Sequence, residues 1–384
     1  MNYLSIHTLF TMDPKNGATK TRRRRGKIVF CLLVAVFSMM LLTACSNQTG
    51  MGVTEDTGSD TENAGNVTED TGNIIVDQLG RTVELPEKIE KVSATHIYGY
   101  KMLFAMGQME KLGFQSAVGG ADTEALAEVD DFYASLPIIN PTPHVPDNPE
   151  DLINQGVNVI FTNVSKGAEE TELFQNAGIT AIAVSGETFE EVYETARIMG
   201  KVFDCPERSD EVISFIEDLR ALVSERTAKI PEDQKPTVLV CGSGGVYTAA
   251  TKDMFQHQMV ETAGGINAGA GLNGHWASIS AEDIISSDPD YIFLGSSKGV
   301  DDVKSVLADP ALQTVKAVKN KEIYIFPSSL GWWDFPLPQS VLGIIWTGKT
   351  IHPELYEDID MLKVADSVYE FMFGYSYTEL GGVL

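Results

Sequence analysis

The sequence predicts an α/β protein of two similar lobes with mostly parallel sheets, joined by one long helix. Three observations carry that reading. First, a helix-then-strand unit occurs twice, as PEDLINQGVNVIF at residues 149–161 and AEDIISSDPDYIF at residues 281–293. Aligned without a gap, Glu150 meets Glu282, Asp151 meets Asp283, Leu152 meets Ile284, Ile153 meets Ile285 and Phe161 meets Phe293. Second, apolar runs of strand length alternate with helical patterns through both halves of the chain, the mark of parallel sheets with covering helices. Third, Val212, Phe215, Ile216, Leu219, Leu222 and Val223 recur at helical spacing between Pro206 and Pro231. That run predicts a single helix of about 24 residues, roughly 36 Å long.

Residues 1–44 stand apart from the fold. Arg22–Arg25 and Lys27 precede an apolar run, residues 28–42, which is too short for an ordinary membrane span and reads as an export signal. It ends in Leu42-Thr43-Ala44-Cys45, which resembles the bacterial lipobox, so Cys45 is the expected lipidation site. Residues 46–72 are Ser, Asn, Gly, Thr, Asp and Glu with almost nothing apolar, a flexible acidic linker. As a coil it spans about 30 Å. The protein is therefore expected outside the cytoplasm, lipid-anchored to the bacterial cell membrane and soluble beyond its tether.

The 384 residues carry a formal net charge of −26. Loss of residues 1–44 removes seven of the 28 Lys and Arg and one of the 54 acidic residues, which leaves −32. Such a surface excludes nucleic acid as a partner. Cys205 and Cys241 stay in the mature chain; a disulfide between them is open, but Cys241 ends an apolar strand and reads as buried.

Taken in order, residues 74–85 read as a hairpin turning at Leu79-Gly80 and closed by Pro86. Residues 89–93 read as a strand, 95–100 as a loop, and 101–112 as a helix. Gly113 opens a further strand, FQSAVGG. A proline-rich stretch, LPIINPTPHVPDNP, is extended. It leads to Asn148, the N-cap of the first twin unit, whose strand covers 157–162. A helix over 169–177, a strand over 180–184 and a helix over 188–203 follow. Past the long helix come the strand TVLVC, the turn GSGGVYTAA, the helix MFQHQMVETAGG and the loop INAGAGLNGHWASIS. The second unit, capped by Ser280, ends in the strand YIFLG. A helix over 303–307, the strand EIYIF, the segment PSSLGWWDFPLPQSVLGIIWTGKTIHPELYEDIDM and a terminal helix complete the chain. The expected division is an export signal (1–44), lipidated Cys45 with its linker (45–72), a first lobe (73–205), the joining helix (206–230) and a second lobe (231–384).

Ligands of open α/β sheets sit beyond the carboxyl ends of the strands. In the first lobe that rule selects Thr95, His96, Tyr98 and Tyr100, then Thr162 and Asn163. In the second it selects Tyr247 and Thr248, then Asn273, His275 and Trp276, then Ser296 and Ser297, and finally Trp332, Trp333 and Asp334. Aromatic residues in such loops suit flat or chelated ligands. His96 and His275, one per lobe, are candidate donors to a single metal, although no His-x-x-x-His spacing supports them. Of Trp332 and Trp333, a loop would turn one to the ligand and the other to the core. His257, on a helix, and His352, before Pro353, read as structural.

The order of these pieces resembles one family. DQLGRTVELPEKIEKVSA, a helix ending in FAMG, PEDLINQGVNVIF, one long central helix, FQHQMVETAGGINAGAGLNGHWASISAEDIISSDPDYIF and WDFPLPQSVLGIIW followed by HPELYEDIDM resemble, over residues 74–384, the substrate-binding lipoproteins of ABC importers for iron-siderophores, haem, cobalamin and related metal complexes. The resemblance implies two Rossmann-like lobes, a rigid joining helix, a ligand cleft between the lobes and modest closure. It implies a monomer with no intrinsic cofactor, working with an ABC permease and its ATPase. It also implies that an acidic residue on each lobe meets arginines of the two permease subunits, and Glu150 and Glu282 stand at matching places. Their helices are expected to begin at the opposite ends of the units from the cleft, on the outer faces.

The candidate loops hold no arginine, and Lys101 and Lys298 are their nearest cations. That argues against a strongly anionic siderophore and leaves a neutral chelate, haem or corrinoid. The alternative is an oxoanion such as molybdate or tungstate, held by Gly242–Gly245, Thr248 and Ser296-Ser297. A lipid-anchored enzyme is a distant alternative, since Lys252 lies ten residues beyond Gly242, which is not the phosphate-loop spacing, and no HExxH occurs.

Overall fold

The computed structural model describes residues 73–139, 148–296 and 300–384. Cys45 and its linker, Ser297 and Lys298 lie outside the described residues. The described chain opens with an antiparallel hairpin of β1 (Ile74–Val76) and β2 (Thr82–Glu84). Asp77 holds its turn: the carboxylate accepts from the Leu79 and Arg81 amides and from the Arg81 guanidinium. It also accepts from the Ala183 amide, which fastens the hairpin to the first sheet.

That sheet has three parallel strands in the order β3 (Lys91–Ala94), β4 (Val157–Asn163), β5 (Thr180–Val184). Its helices are α1 (Ile97–Ala105), α2 (Ala121–Val129), α3 (Asp131–Ser135), α4 (Pro149–Asn154), α5 (Gly167–Asn176) and α6 (Phe189–Val202). Then comes α7 (Pro206–Thr227), the long helix of the periodicity. Its buried residues, Ser209, Val212, Ile216, Leu219, Val223 and Thr227, form one stripe at three- and four-residue spacing.

The second half contains β6 (Thr237–Cys241), β7 (Thr248–Ala249), α8 (Phe255–Thr262), β8 (Ile266–Asn267), β9 (Ala277–Ser278), α9 (Ala281–Ser287), β10 (Tyr291–Leu294), α10 (Val300–Ala308), α11 (Lys316–Asn320), β11 (Ile323–Ile325), α12 (Val341–Ile351) and α13 (Met361–Phe373). Its main sheet is parallel, in the order β11–β10–β6–β8, and β7 with β9 makes a short antiparallel ribbon. The predicted fold class therefore stands: an α/β molecule with one parallel sheet before the long helix and one after it. α7 packs against α6 from the first half and against α8 and α12 from the second. Cys205 and Cys241 are both free, and Cys241 is fully buried. Among the described residues no helix is long and apolar enough to cross a membrane.

The chain end returns to the first half. α13 packs on α1, with Phe373 5.5 Å from Phe104, and the Tyr375 hydroxyl donates to Asp130. Beneath this contact Lys101 meets Asp122, each side chain only 1% exposed. Burial pushes the Lys101 ammonium down and the Asp122 carboxyl up, and their attraction opposes both shifts. The Thr123 amide donates to the same carboxylate, and the Gln339 amide reaches it from the second half. Lys101 is thus a core residue committed to Asp122, not a cation of the ligand loops.

Three elements differ from expectation. Residues 114–120 are not a strand: Ala117–Gly119 form a 3₁₀ turn, because Ser116 accepts from the Val118 amide and gives its own amide to the Tyr100 hydroxyl. The helix expected over 101–112 begins at Ile97 and stops at Ala105, closed by Gly107 at φ 70° with the Gln108 amide on the Leu103 carbonyl. α12 is buried except at Trp346, Lys349 and Thr350, so only a weak helical period marks it in the sequence.

Lys101→Met should destabilise the fold by about 3–5 kcal/mol, because it leaves a buried carboxylate without its partner. Lys101→Met with Asp122→Leu should recover most of that loss, as measured by urea unfolding of the two variants.

Candidate ligand site

Parallel pairing brings the loops after β3, β5, β6, β10 and β11 to the edges where the two sheets face one another. Ala94 ends β3, and His96 caps α1 in extended conformation. The His96 ring lies 4.4 Å from Tyr98 and stacks on Phe335 at 6.0 Å. Phe335 in turn meets Trp332 edge-on at 5.4 Å. Tyr98, His96, Phe335 and Trp332 therefore form one row that crosses from the first half of the chain to the second. Gly186, after β5, is required for this approach. A Cβ there would lie 3.1 Å from the Pro336 carbonyl and 3.5 Å from the Tyr98 ring.

A second crossing joins His275 to Glu187, with Nδ1 3.9 Å from Oε2. Burial pushes the Glu187 carboxyl up; His275 draws it down and Glu191 pushes it further up. A third joins α6 to α8: the Phe189 amide donates to Gln258, Gln258 donates to Glu190, and the Phe189 and Phe255 rings lie 4.5 Å apart.

The remaining candidates fall into three groups. Tyr98, Thr162 and Asn163 form a buried floor under His96. The Tyr98 hydroxyl sits 2.6 Å from Asn163 Oδ1 and 2.7 Å from the Val184 carbonyl. Burial, then the carboxylates of Glu187, Glu191 and Glu170, raise its pKa far above that of a free phenol. Trp276 belongs to the second wall: its indole covers Gly242, where a Cβ would come within 2.6 Å of the ring. Trp332 is 39% exposed, whereas Trp333 is wholly buried and packs toward Tyr377.

Other candidates turn away from the cleft or spend their polar groups internally. Tyr100 is fully buried, its hydroxyl on Tyr133 and on the Ser116 amide. Thr248 accepts from the Gly242 amide and donates to the Gly245 carbonyl. Ser296 gives both its amide and its hydroxyl to the buried Asp334, whose carboxyl burial pushes up. Tyr247 is 37% exposed and donates to Asp309. The Ile279 amide donates to the Tyr247 carbonyl, so the start of α9 with Glu282 lies beside the loop that follows the carboxyl end of β6, not at the far end of its unit. The physical reason is that α9 runs back along the sheet before β10, so its first turn lies on the cleft side. His257 faces Asn267 and His352 faces the Gly264 carbonyl, both within the second half.

Glu187 and Phe335 were not among the residues singled out in the sequence. The strand-end rule, applied to β5 as well as to β3 and β4, would have reached Glu187. Phe335 follows Asp334 directly, and no local signal separates it from a core phenylalanine.

Residues 152–330 match the model of the periplasmic binding protein family. The stretch runs from the first twin unit through the second. The molybdate-binding protein MolA of Haemophilus influenzae is 23% identical over 182 residues, 47% of this chain and 51% of that relative, so the match spans about half the relative's length. The MolA structure with molybdate covers 79% of this chain and 98% of its own at a TM-score of 0.67, with 19% identity. Helicobacter pylori CeuE with bound Ni(II) covers 80% and 98% at 0.65, with 18% identity. The haem-binding protein RhuT of Roseiflexus sp. RS-1 covers 70% and 100% at 0.56, with 17% identity. The resemblance read from the sequence, to binding proteins of ABC importers, is the one these comparisons return, and the fold is theirs.

Glu187 holds its proton to higher pH in the folded protein than in the unfolded chain. Its stabilising contribution is full below the unfolded value and is lost as pH rises through the folded one. Glu187→Gln lacks that titration, so its Tm relative to the unsubstituted protein should rise with pH across this window; a melting series against pH measures it.

Proposed function

We propose that this protein captures a metal chelate (an iron-siderophore, haem or corrinoid) in the cleft between two lobes and delivers it to an ABC importer permease. It acts outside the cytoplasm, held by lipid on Cys45, as a monomer beyond its tether. The observation that carries the reading is the row Tyr98, His96, Phe335 and Trp332, which crosses between the lobes beside the Glu187–His275 contact. Such a surface offers aromatic faces to a flat or bulky ligand, with the His96 ring in the row and the Glu187–His275 pair beside it.

Among the described residues, no group of three or more His, Cys, Asp and Glu is arranged to hold a metal ion. A metal cargo must therefore bring most of its own ligands. The acids of the site, Glu187, Glu191 and Glu170, favour a neutral or cationic complex. No step of bond-making is assigned to the protein. The spacing Gly295-Ser296-Ser297-Lys298-Gly299 is the GxSxG of a hydrolase elbow, but Ser297 lies outside the described residues and Ser296 is committed to Asp334.

Oxoanion capture is the second reading, favoured by the likeness to molybdate-binding MolA. Against it, the Gly242 amide, the Thr248 hydroxyl and both donors of Ser296 are bonded within the protein. Calorimetric titration with haem, cobinamide, several ferric siderophores, molybdate and tungstate separates the readings. Binding of a chelate, weakened at least tenfold by His96→Ala or Phe335→Ala, is the expected result. Molybdate binding with no chelate binding would replace the first reading by the second.

Glu150 and Glu282 are proposed to meet basic residues of the permease. One exposed ion pair contributes only about 0.2–1 kcal/mol, so both lobes must engage together. Glu150→Ala with Glu282→Ala should leave cargo affinity unchanged and lower cargo uptake by cells; unchanged uptake would remove the role.

A further inference from the structure

The twin helices are alike in more than sequence. Pro149 to Gln155 and Ala281 to Ser287 have the same succession of exposure: half-buried, exposed, exposed, buried, exposed, exposed, half-buried. The buried member, Leu152 or Ile284, enters the apolar layer under its own sheet. The residue after it is an isoleucine left open to solvent in both copies, Ile153 at 47% and Ile285 at 42%. Each stands three residues past the acidic residue of its helix, Glu150 or Glu282, and so lies on the same helix face one turn on. Neither glutamate makes an ion pair among the described residues, and the whole chain is strongly acidic.

A single exposed isoleucine is ordinary on a protein surface. The same carboxylate with the same exposed isoleucine, on two helices that each anchor a separate apolar layer, is a duplicated epitope. We infer that Ile153 and Ile285 are the apolar anchors of a two-point docking surface. Its partner is a protein that presents one acceptor twice, in each case an apolar socket flanked by a cation. A symmetric pair of subunits satisfies that requirement, because a twofold assembly shows the same patch at two places. This inference rests on the docking reading above and deepens it. The glutamates steer and orient, and the isoleucines supply the contact that excludes water.

The test is binding of the cargo-loaded protein to its permease–ATPase complex in nanodiscs, with cargo affinity and Tm measured in parallel. Ile153→Ser with Ile285→Ser should weaken docking about tenfold or more, the scale of losing interface anchors. Cargo affinity and Tm should not change, and Leu362→Ser, an exposed leucine elsewhere, should have no effect. Ile153→Leu with Ile285→Leu should dock nearly as well as the unsubstituted protein, and the two single serine variants should each lose a similar part. Normal docking of the double serine variant, with Glu150→Ala/Glu282→Ala impaired, would overturn the anchors and leave the docking reading standing. Normal docking of both double variants would overturn both.

Discussion

Parallel pairing is the constraint on which the rest of this structure depends. A parallel strand can be followed by its neighbour only after a crossover, so every β3–β4–β5 and β6–β10–β11 connection must return along a helix. All carboxyl ends of one sheet then lie along one edge, and the polypeptide leaves each strand there in a loop. His96 and Glu187 are gathered by this rule at one sheet, and Gly242, Ser296 and Asp334 at the other. The same rule explains the position of Glu282. A helix that returns along the sheet starts on the side where the preceding strand ended, which brings Glu282 beside the loop after β6 rather than to the far side of the sheet.

The two sheets are held together by more than the long helix. α7 presents one apolar stripe to α6 and to α8 and α12 together. The return of α13 onto α1 adds a second tie, with the Lys101–Asp122 pair and Gln339 enclosed beneath it. A buried ion pair contributes little net stability, since the desolvation of both charges offsets their attraction. Its consequence is positional: the pair tolerates only one arrangement of α1 and α2, and through Gln339 it registers them against the segment that also carries Phe335. Together with the α6–α8 contact, this ties the two halves of the chain to one another at places outside the long helix.

The similar proteins are named for chemically different cargoes, which differ above all in charge. The His96–Phe335 stack and the Glu187–His275 contact bring two imidazoles and a carboxylate to the candidate site. The hydroxyl and amide donors that an oxoanion would need are present in the sequence but are engaged by Asp334 and by the Gly242–Thr248 turn. The fold alone accommodates molybdate, nickel and haem proteins alike, so cargo is a property of these side chains and not of the architecture.

Periodicity, capping residues and one internal repeat were enough to read the α/β class, the long helix and the twin units from the sequence, because each is a local pattern that tertiary packing reinforces. β5, the helix α6 and the strand TVLVC were legible for that reason. The 3₁₀ turn at 117–119 and the helix α12 were not, since a hydroxyl from Tyr100 and burial on nearly every side leave no local trace. Residue types in the site were also legible: His96, His275 and the tryptophan pair stood out. Only the tertiary structure decided their roles. It turned Trp333 and Tyr100 into core residues, withdrew Lys101 and Ser296 into buried partnerships, and brought forward Glu187 and Phe335. Sequence records which groups a chain owns. The meeting of the two sheets determines which of those groups face one another across them and which are spent in the core.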